Sequence, residues 1–336
     1  MKFLIAGLGS IGRRHLRNLV ALGEKDILLY RTHQSSLPDD ELAGFSVETD
    51  LGTALAQRPD AVIISNPTAL HLKVAVPSAR QGCHLLLEKP IAESMESVND
   101  LIEAVEEGGG EVLVGYQFRF HPGLIQAKRL LAENAIGRPI SFRAVYAEYL
   151  PGMHPWEDYR KSYSARRELG GGVILTLCHP LDYVRWLLGE IEGVWAFIGE
   201  FNQFALPVED AAEIGIRLAN GVVGSVHLDF NRRPFFHQLE IIGTEGTLIW
   251  DAPQGDLQVY RAEAAAWESF PDRNAFERNE MFLTEMRHFI DVVQRKATPV
   301  CSLVDGVRAL QVALAAKSSA LDGKIHSLSY DHLPFP

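Results

Sequence analysis

The chain has 336 residues, more than one hydrophobic core usually serves, so two domains are expected. Hydrophobic residues make up 47% and charged ones 22%, and a formal net charge of -11 sets a whole-chain field that repels nucleic acid. The opening apolar run is too short for a secretion signal, no stretch is long and apolar enough to span a bilayer, and Cys83, Cys178 and Cys301 form no Cys-x-x-Cys pair. The expectation is a cytoplasmic chain with no nucleic-acid or membrane partner, no metal and no disulfide framework.

In chain order, residues 2–6 are an apolar run ending in Gly7, and residues 11–22 carry apolar side chains at helical spacing until Gly23, a natural helix end. Strands are expected at 27–30, 61–65, 84–87 and 111–115, and helices at 51–57, 70–81 and 94–107. Continuous apolar strands separated by helices imply a parallel sheet covered on both faces, the doubly wound Rossmann arrangement. Beyond Phe118 the pattern changes. A helix at 124–134 and a strand at 140–149 precede a glycine-rich element and helix at 170–188. Six strands follow, at 193–201, 211–218, 221–230, 238–243, 246–250 and 257–260, with hairpin turns at Ala219-Asn220-Gly221 and Thr244-Glu245-Gly246. Helices at 281–295 and 303–321 close the chain. The fold class is therefore α/β, with an N-terminal doubly wound domain over residues 1–118 and a C-terminal α+β domain over 119–336 built on an open, mostly antiparallel sheet.

Gly7-Leu8-Gly9-Ser10-Ile11-Gly12 matches G-x-G-x-x-G between a strand and a helix, the context in which that string signals a dinucleotide site. Gly7 permits the tight turn, Gly9 lets the backbone approach a pyrophosphate, and Gly12 allows close helix–sheet packing. The amides of Ser10 and Ile11 open the helix N-terminus toward the anion. At the end of the second strand, where an acid would bond the ribose hydroxyls of NAD, stand Arg31 and Thr32. A guanidinium and a hydroxyl suit a 2′-phosphate, so NADP is expected in preference to NAD. The competing readings are a ligand-free structural turn and a solvated arginine.

Strand 84–87 runs into Glu88-Lys89-Pro90, which puts an ammonium at the crevice end of a parallel strand, where it can stabilise developing alkoxide charge. Gly7 to Gly12, Asn66-Pro67-Thr68 with His71, Glu88-Lys89-Pro90 and the string from Gly115 to Pro122 occur in order, followed by Gly170-Gly171-Gly172, His179 and Asp182. Together they resemble the glucose–fructose oxidoreductase/inositol dehydrogenase (Gfo/Idh/MocA) family over nearly the whole chain. The resemblance implies an NAD(P)-dependent enzyme moving hydride between nicotinamide and a hydroxyl or carbonyl carbon of a sugar or sugar derivative. It also implies a homo-oligomer, dimer or tetramer, formed through the C-terminal sheet. Asn66, Pro67, Thr68, His71, Glu88 and Lys89 are expected to line the cofactor, and Lys89, His179 and Thr176 to form the catalytic set. Thr176 stands where the family most often has Asp, so the carboxylate beside the histidine is missing.

If residues 172–182 are helical, Thr176, His179 and Asp182 share a face and Asp182 can orient the imidazole. If the helix instead starts at Pro180, His179 lies at its mouth. For the substrate, aromatic faces and arginines select Trp156, Tyr159, Tyr163 and Arg166, with Arg119, Lys89 and His179; His121 is a further candidate for the cleft. The resemblance suggests activated or acidic sugars of surface polysaccharides. His227, Asp229 and His237 have no metal-ligand spacing. Two alternatives stand beside hydride transfer: redox-neutral sugar chemistry on a retained dinucleotide, and a non-catalytic dinucleotide sensor.

Overall fold

The computed structural model describes residues 1–32, 40–201, 204–253, 255–271 and 277–330. The chain forms two compact units, and the division is not a single cut. The first comprises Met1–Gln117, Glu168–Gly170 and Asn279–Leu310, and the second holds the remainder.

The first unit begins with β1 (Lys2–Ala6), α1 (Ser10–Ala21), β2 (Asp26–Tyr30), β3 (Ser46–Glu48) and α2 (Leu51–Ala56). It continues with β4 (Ala61–Ile64), α3 (His71–Arg80), β5 (His84–Glu88), α4 (Val98–Gly108) and β6 (Val112–Gly115). The strands pair in parallel in the order β3-β2-β1-β4-β5-β6, the Rossmann order. Strands β4 to β6 are buried at every position, as a sheet covered on both faces requires. Edge strand β6 is finished by a segment far along the chain: Val114 N–H donates to Cys301 O at 2.9 Å.

In the second unit, α5 (Pro122–Ala132), β7 (Pro139–Ala147), α6 (Leu150–Met153), α7 (Val173–Thr176) and α8 (His179–Leu188) come first. They are followed by β8 (Ile191–Gly199), β9 (Ala211–Leu218), β10 (Val223–Asp229), β11 (Phe236–Gly243), β12 (Gly246–Asp251), β13 (Asp256–Arg261) and β14 (Ala266–Pro271). With β15 (His326–Ser327) these make a nine-stranded sheet, β14-β13-β12-β11-β7-β10-β9-β8-β15, antiparallel except for β7 beside β10. Period-two alternation is plain on β9, where Ala212, Ile214, Ile216 and Leu218 are buried and Glu213 and Arg217 are exposed. α5, α7 and α8 pack on the buried side. Two further helices are α9 (Arg278–Val293), which from Asn279 belongs to the first unit, and α10 (Leu303–Asp322), which passes from the first unit to the second after Leu310.

The expected elements form, with boundaries shifted by a few residues, and three strands appear that the sequence did not announce. β3 is three residues long and largely exposed, β14 is an edge strand carrying an exposed Trp267, and β15 has two residues. Short edge strands owe their form to a neighbour's hydrogen bonds and leave little periodic pattern. Both expected hairpin turns are present: Gly221 takes φ +87 between β9 and β10, and Thr244-Glu245 joins β11 to β12.

Candidate functional site

In the first unit the glycine string turns from β1 into α1. Gly7 has φ +94, and a Cβ there would lie 2.4 Å from the Asn66 amide nitrogen; at Gly12 it would lie 2.0 Å from Gly7 O. Gly9 differs, because a Cβ on it meets nothing within 4 Å. Two glycines are thus demanded by packing, while the middle one faces open space, as a backbone reserved for a ligand does. Gly9 caps α1 without a side chain, the first turn carries no acid, and Gly7, Gly9, Ser10 and Ile11 are all partly exposed. That leaves a helix N-terminus fit for an anion. Ser65 Oγ, at the end of neighbouring β4, donates to Gly7 O at 2.9 Å and fixes the loop's floor. Arg31 follows β2, is 8% exposed, and donates its backbone N–H to Glu48 O at 3.1 Å; Thr32 is exposed. Arg31 is therefore not the solvated surface arginine of the alternative reading.

Beyond β4, Asn66 and Pro67 are partly exposed and Thr68 is buried beneath Gly170. His71, expected among the cofactor contacts, is buried, and both ring nitrogens face backbone carbonyls: Nδ1 to Pro90 O at 3.0 Å and Nε2 to Asn66 O at 2.9 Å. It ties the loop after β4 to the loop after β5 and presents no free atom to a ligand. A neutral imidazole has one N–H, so only the imidazolium donates to both carbonyls. Burial pulls the His71 pKa down, and the Glu88 charge opposes that pull. Glu88 is the last residue of β5 and is also turned inward, its Oε1 2.8 Å from His15 Nε2. Lys89, next in the chain and partly exposed, stands at the crevice end of the sheet. His15 was not foreseen. It lies on the buried face of α1, and a histidine in an amphipathic helix looks like any polar residue.

In the second unit the glycine run leads into two helices rather than one. α7 ends at Thr176 and α8 starts at His179 with Pro180 in its first turn, so the proline reading holds and His179 sits at the helix mouth. His179 is 3% exposed and Thr176 2%. The Phe118 ring stands edge-on to His179 at 4.8 Å, and Tyr146 lies 6.2 Å away. Tyr146 in turn stacks on His237 at 4.1 Å, and the Tyr183 hydroxyl lies 3.3 Å from His237 Nε2. Burial, then the Glu148 charge, pushes the Tyr146 phenol up, and burial pulls His237 well down.

Asp182 does not orient His179. Its carboxylate accepts two hydrogen bonds from Arg119, so the arginine expected at the substrate is engaged inside the fold instead. A buried guanidinium needs a carboxylate, and the fork geometry matches this one. His121 is likewise internal, its Nδ1 accepting Gly123 N–H at 3.0 Å to cap α5. Trp156 is 63% exposed, Arg166 is exposed, and Tyr159 and Tyr163 are half-buried, all on the short turns between α6 and α7. His227 pairs with Glu213 at 2.6 Å and is not brought together with His237.

Residues 1–116 match the model of the oxidoreductase family with an NAD-binding Rossmann fold, and residues 124–249 match that of the GFO/IDH/MocA C-terminal domain. The scyllo-inositol 2-dehydrogenase (NAD(+)) of Bacillus subtilis is 29% identical over 340 residues, 95% of this chain and 94% of its own. The levoglucosan dehydrogenase of Pseudarthrobacter phenanthrenivorans is 30% identical over 263 residues, 69% of this chain and 65% of its own. A solved levoglucosan dehydrogenase in complex with NADH and levoglucosan has the same fold, with a TM-score of 0.87 at 22% identity over 97% of this chain and 99% of that one. With its glycine loop, its Glu88-Lys89-Pro90 strand end and both domains matched, the chain belongs to the Gfo/Idh/MocA family of NAD-binding oxidoreductases.

Proposed function

We propose that the protein moves hydride between a nicotinamide dinucleotide and a hydroxyl or carbonyl carbon of a sugar, cyclitol or close derivative. Lys89 donates a hydrogen bond to the reacting oxygen and His179 exchanges the proton, while Thr176 lines the histidine without carrying charge. The observation that carries this reading is the place of Lys89. It follows the last residue of β5, and the order β1-β4-β5 puts it two strands from the glycine loop, at the same end of the sheet. Trp156, Tyr159, Tyr163 and Arg166 serve the substrate in this reading.

NADP(H) is the preferred cofactor in this proposal, on the grounds that Arg31 and Thr32 follow β2 and no acid stands there. The face of the second unit's sheet that carries Phe197, 66% exposed beside half-buried Trp195, is where we expect copies of the chain to meet. The test is a panel of inositols, anhydrosugars and nucleotide sugars followed at the reduced-nicotinamide absorbance with each cofactor. On the best substrate, Lys89→Met should lower kcat by about 10²-fold or more and leave cofactor affinity nearly unchanged. Wild-type turnover by that variant overturns the role of Lys89, and tighter binding of NAD(H) than NADP(H) overturns the cofactor preference.

A further inference from the structure

Behind the strand end that carries Lys89 lies a deeper set of ionisable groups that the proposed reaction leaves unused. Glu88 is engaged on both oxygens: Oε1 lies 2.8 Å from His15 Nε2, and Oε2 accepts the Lys89 backbone N–H at 3.3 Å. Neighbouring β6 leaves room for this carboxylate, since a Cβ at Gly115 would stand 3.2 Å from Oε2.

A third member comes from α9, which lies along α1. Asn279 Nδ2 donates to Asn18 Oδ1 at 3.0 Å, the Phe282 ring meets His15 edge-on at 6.4 Å, and the Arg14 guanidinium lies 4.4 Å over Phe282. Glu285 is the next residue on that stripe, three positions after Phe282. It is 0% exposed, and neither of its carboxyl oxygens has a hydrogen-bond partner among the described residues; His15 Nδ1 is unsatisfied too.

A buried carboxylate with no donor is among the most expensive groups a fold can hold. Burial, and then the Glu88 charge, pushes Glu285 well above the ordinary carboxylate range. Burial pushes Glu88 up as well, but the His15 hydrogen bond and the charges of His15, Lys89 and His71 outweigh it and hold Glu88 below its ordinary value. The Glu88 charge disfavours a second charge at Glu285, which has no hydrogen bond to compensate it.

We propose that Glu285 is a positioning residue held as a neutral carboxylic acid near the buried His15–Glu88 pair, so that Glu88 is the single negative charge that Lys89 faces. The proposal rests on the reading of Lys89 as the reacting lysine only for its catalytic consequence. The proton itself is measurable without turnover.

Infrared spectra of the whole protein at neutral pH should show the carbonyl band of a protonated carboxylic acid, lost in Glu285→Gln. If Glu285→Gln removes no such band, Glu285 is ionised and the proposal falls. The second measurement is the titration of the Lys89 amine by competitive labelling against pH, read by mass spectrometry. Glutamine is neutral, as the proposed acid is, and should leave that titration in place. Glu285→Met has similar volume and is neutral too, so it should also leave the Lys89 titration in place. A fall of about half a unit or more in both variants would show that Glu285 carries charge in the wild type, and the proposal falls. Should the methionine variant not fold, the infrared comparison still decides. Failure of the Lys89 reading itself would show separately, as full activity in Lys89→Met.

Discussion

Arg119 donates two hydrogen bonds to Asp182, from Nη2 to Oδ1 at 2.6 Å and from Nε to Oδ2 at 3.0 Å, with both side chains 2% exposed. The pair ties the segment before α5 to the first turn of α8, three residues past His179, where the helix dipole also favours an acid. Removing one partner strands the other charge in a dry site, which typically costs about 3–5 kcal/mol. Asp182→Ala and Arg119→Met should each lower the unfolding free energy by that amount in urea titrations. The double replacement Arg119→Met with Asp182→Leu should cost much less than the sum. Additive losses would show that the two residues do not act as a pair.

The three loop glycines separate packing from ligand approach. A Cβ at Gly12 meets Gly7 O at 2.0 Å, so Gly12→Ala should lower both stability and cofactor affinity. Gly9 has open space and extended backbone at φ -73, so Gly9→Ala should cost no more than about 1 kcal/mol of stability, as a changed cap does. Yet the added methyl stands where a pyrophosphate would approach, and NADH affinity should fall by about tenfold or more, or 1.4 kcal/mol. Thermal melts with and without NADH check both. A Gly9→Ala protein that binds NADH like wild type would place the pyrophosphate elsewhere.

The doubly wound parallel sheet, the glycine turn and the lysine at the end of β5 were legible in the sequence because each depends on local pattern: apolar runs, a glycine spacing, a charged residue closing a strand. What was not legible depends on partners distant in the chain. Arg119 reads as a substrate arginine until Asp182, 63 residues on, is seen to accept two hydrogen bonds from it. His71 reads as a ligand contact until the Pro90 carbonyl closes over it. Glu285 reads as one more polar residue of an amphipathic helix, since nothing local says that it is buried. A charged residue flanked by apolar ones at i±3 and i±4, as Phe282, Met281 and Phe289 flank Glu285, is the one signal that could have marked it.

His121 should confer acid sensitivity. Its Nδ1 accepts Gly123 N–H only while unprotonated, and burial pushes its pKa down to about 4. The unfolded chain takes up this proton near its ordinary value, roughly 6.5. Between those two values the unfolded state binds more protons, so stability falls as pH falls, by about 1.4 kcal/mol per unit. His121→Asn keeps an oxygen that can cap α5 and removes the titration. The stability advantage of wild type over the variant should therefore shrink by about 3 kcal/mol between pH 7 and pH 4. Burial also lowers His71, His84, His237 and His288, so the wild-type slope alone exceeds one proton, and the difference between proteins isolates His121. A difference constant across the window would mean that His121 does not titrate there.

The proton of the reaction should run through His179. Asp182, the acid three residues on, is held by Arg119, and Thr176 cannot ionise, so neither supplies the carboxylate that the family most often places beside this histidine. His179→Ala should lower kcat by about 10²–10⁴-fold, the range for a lost general acid or base, with NADH affinity kept. In the direction of alcohol oxidation the rate should rise with deprotonation of one group. Thr176→Asp should move that limb upward in pH, because a nearby anion favours imidazolium, whereas Thr176→Val should leave it in place. The three pH–rate profiles decide together. If His179→Ala keeps the rate and the same limb, or if Thr176→Asp leaves the limb unmoved, the proton leaves by another group, and the half-buried phenol of Tyr163 becomes the next to replace.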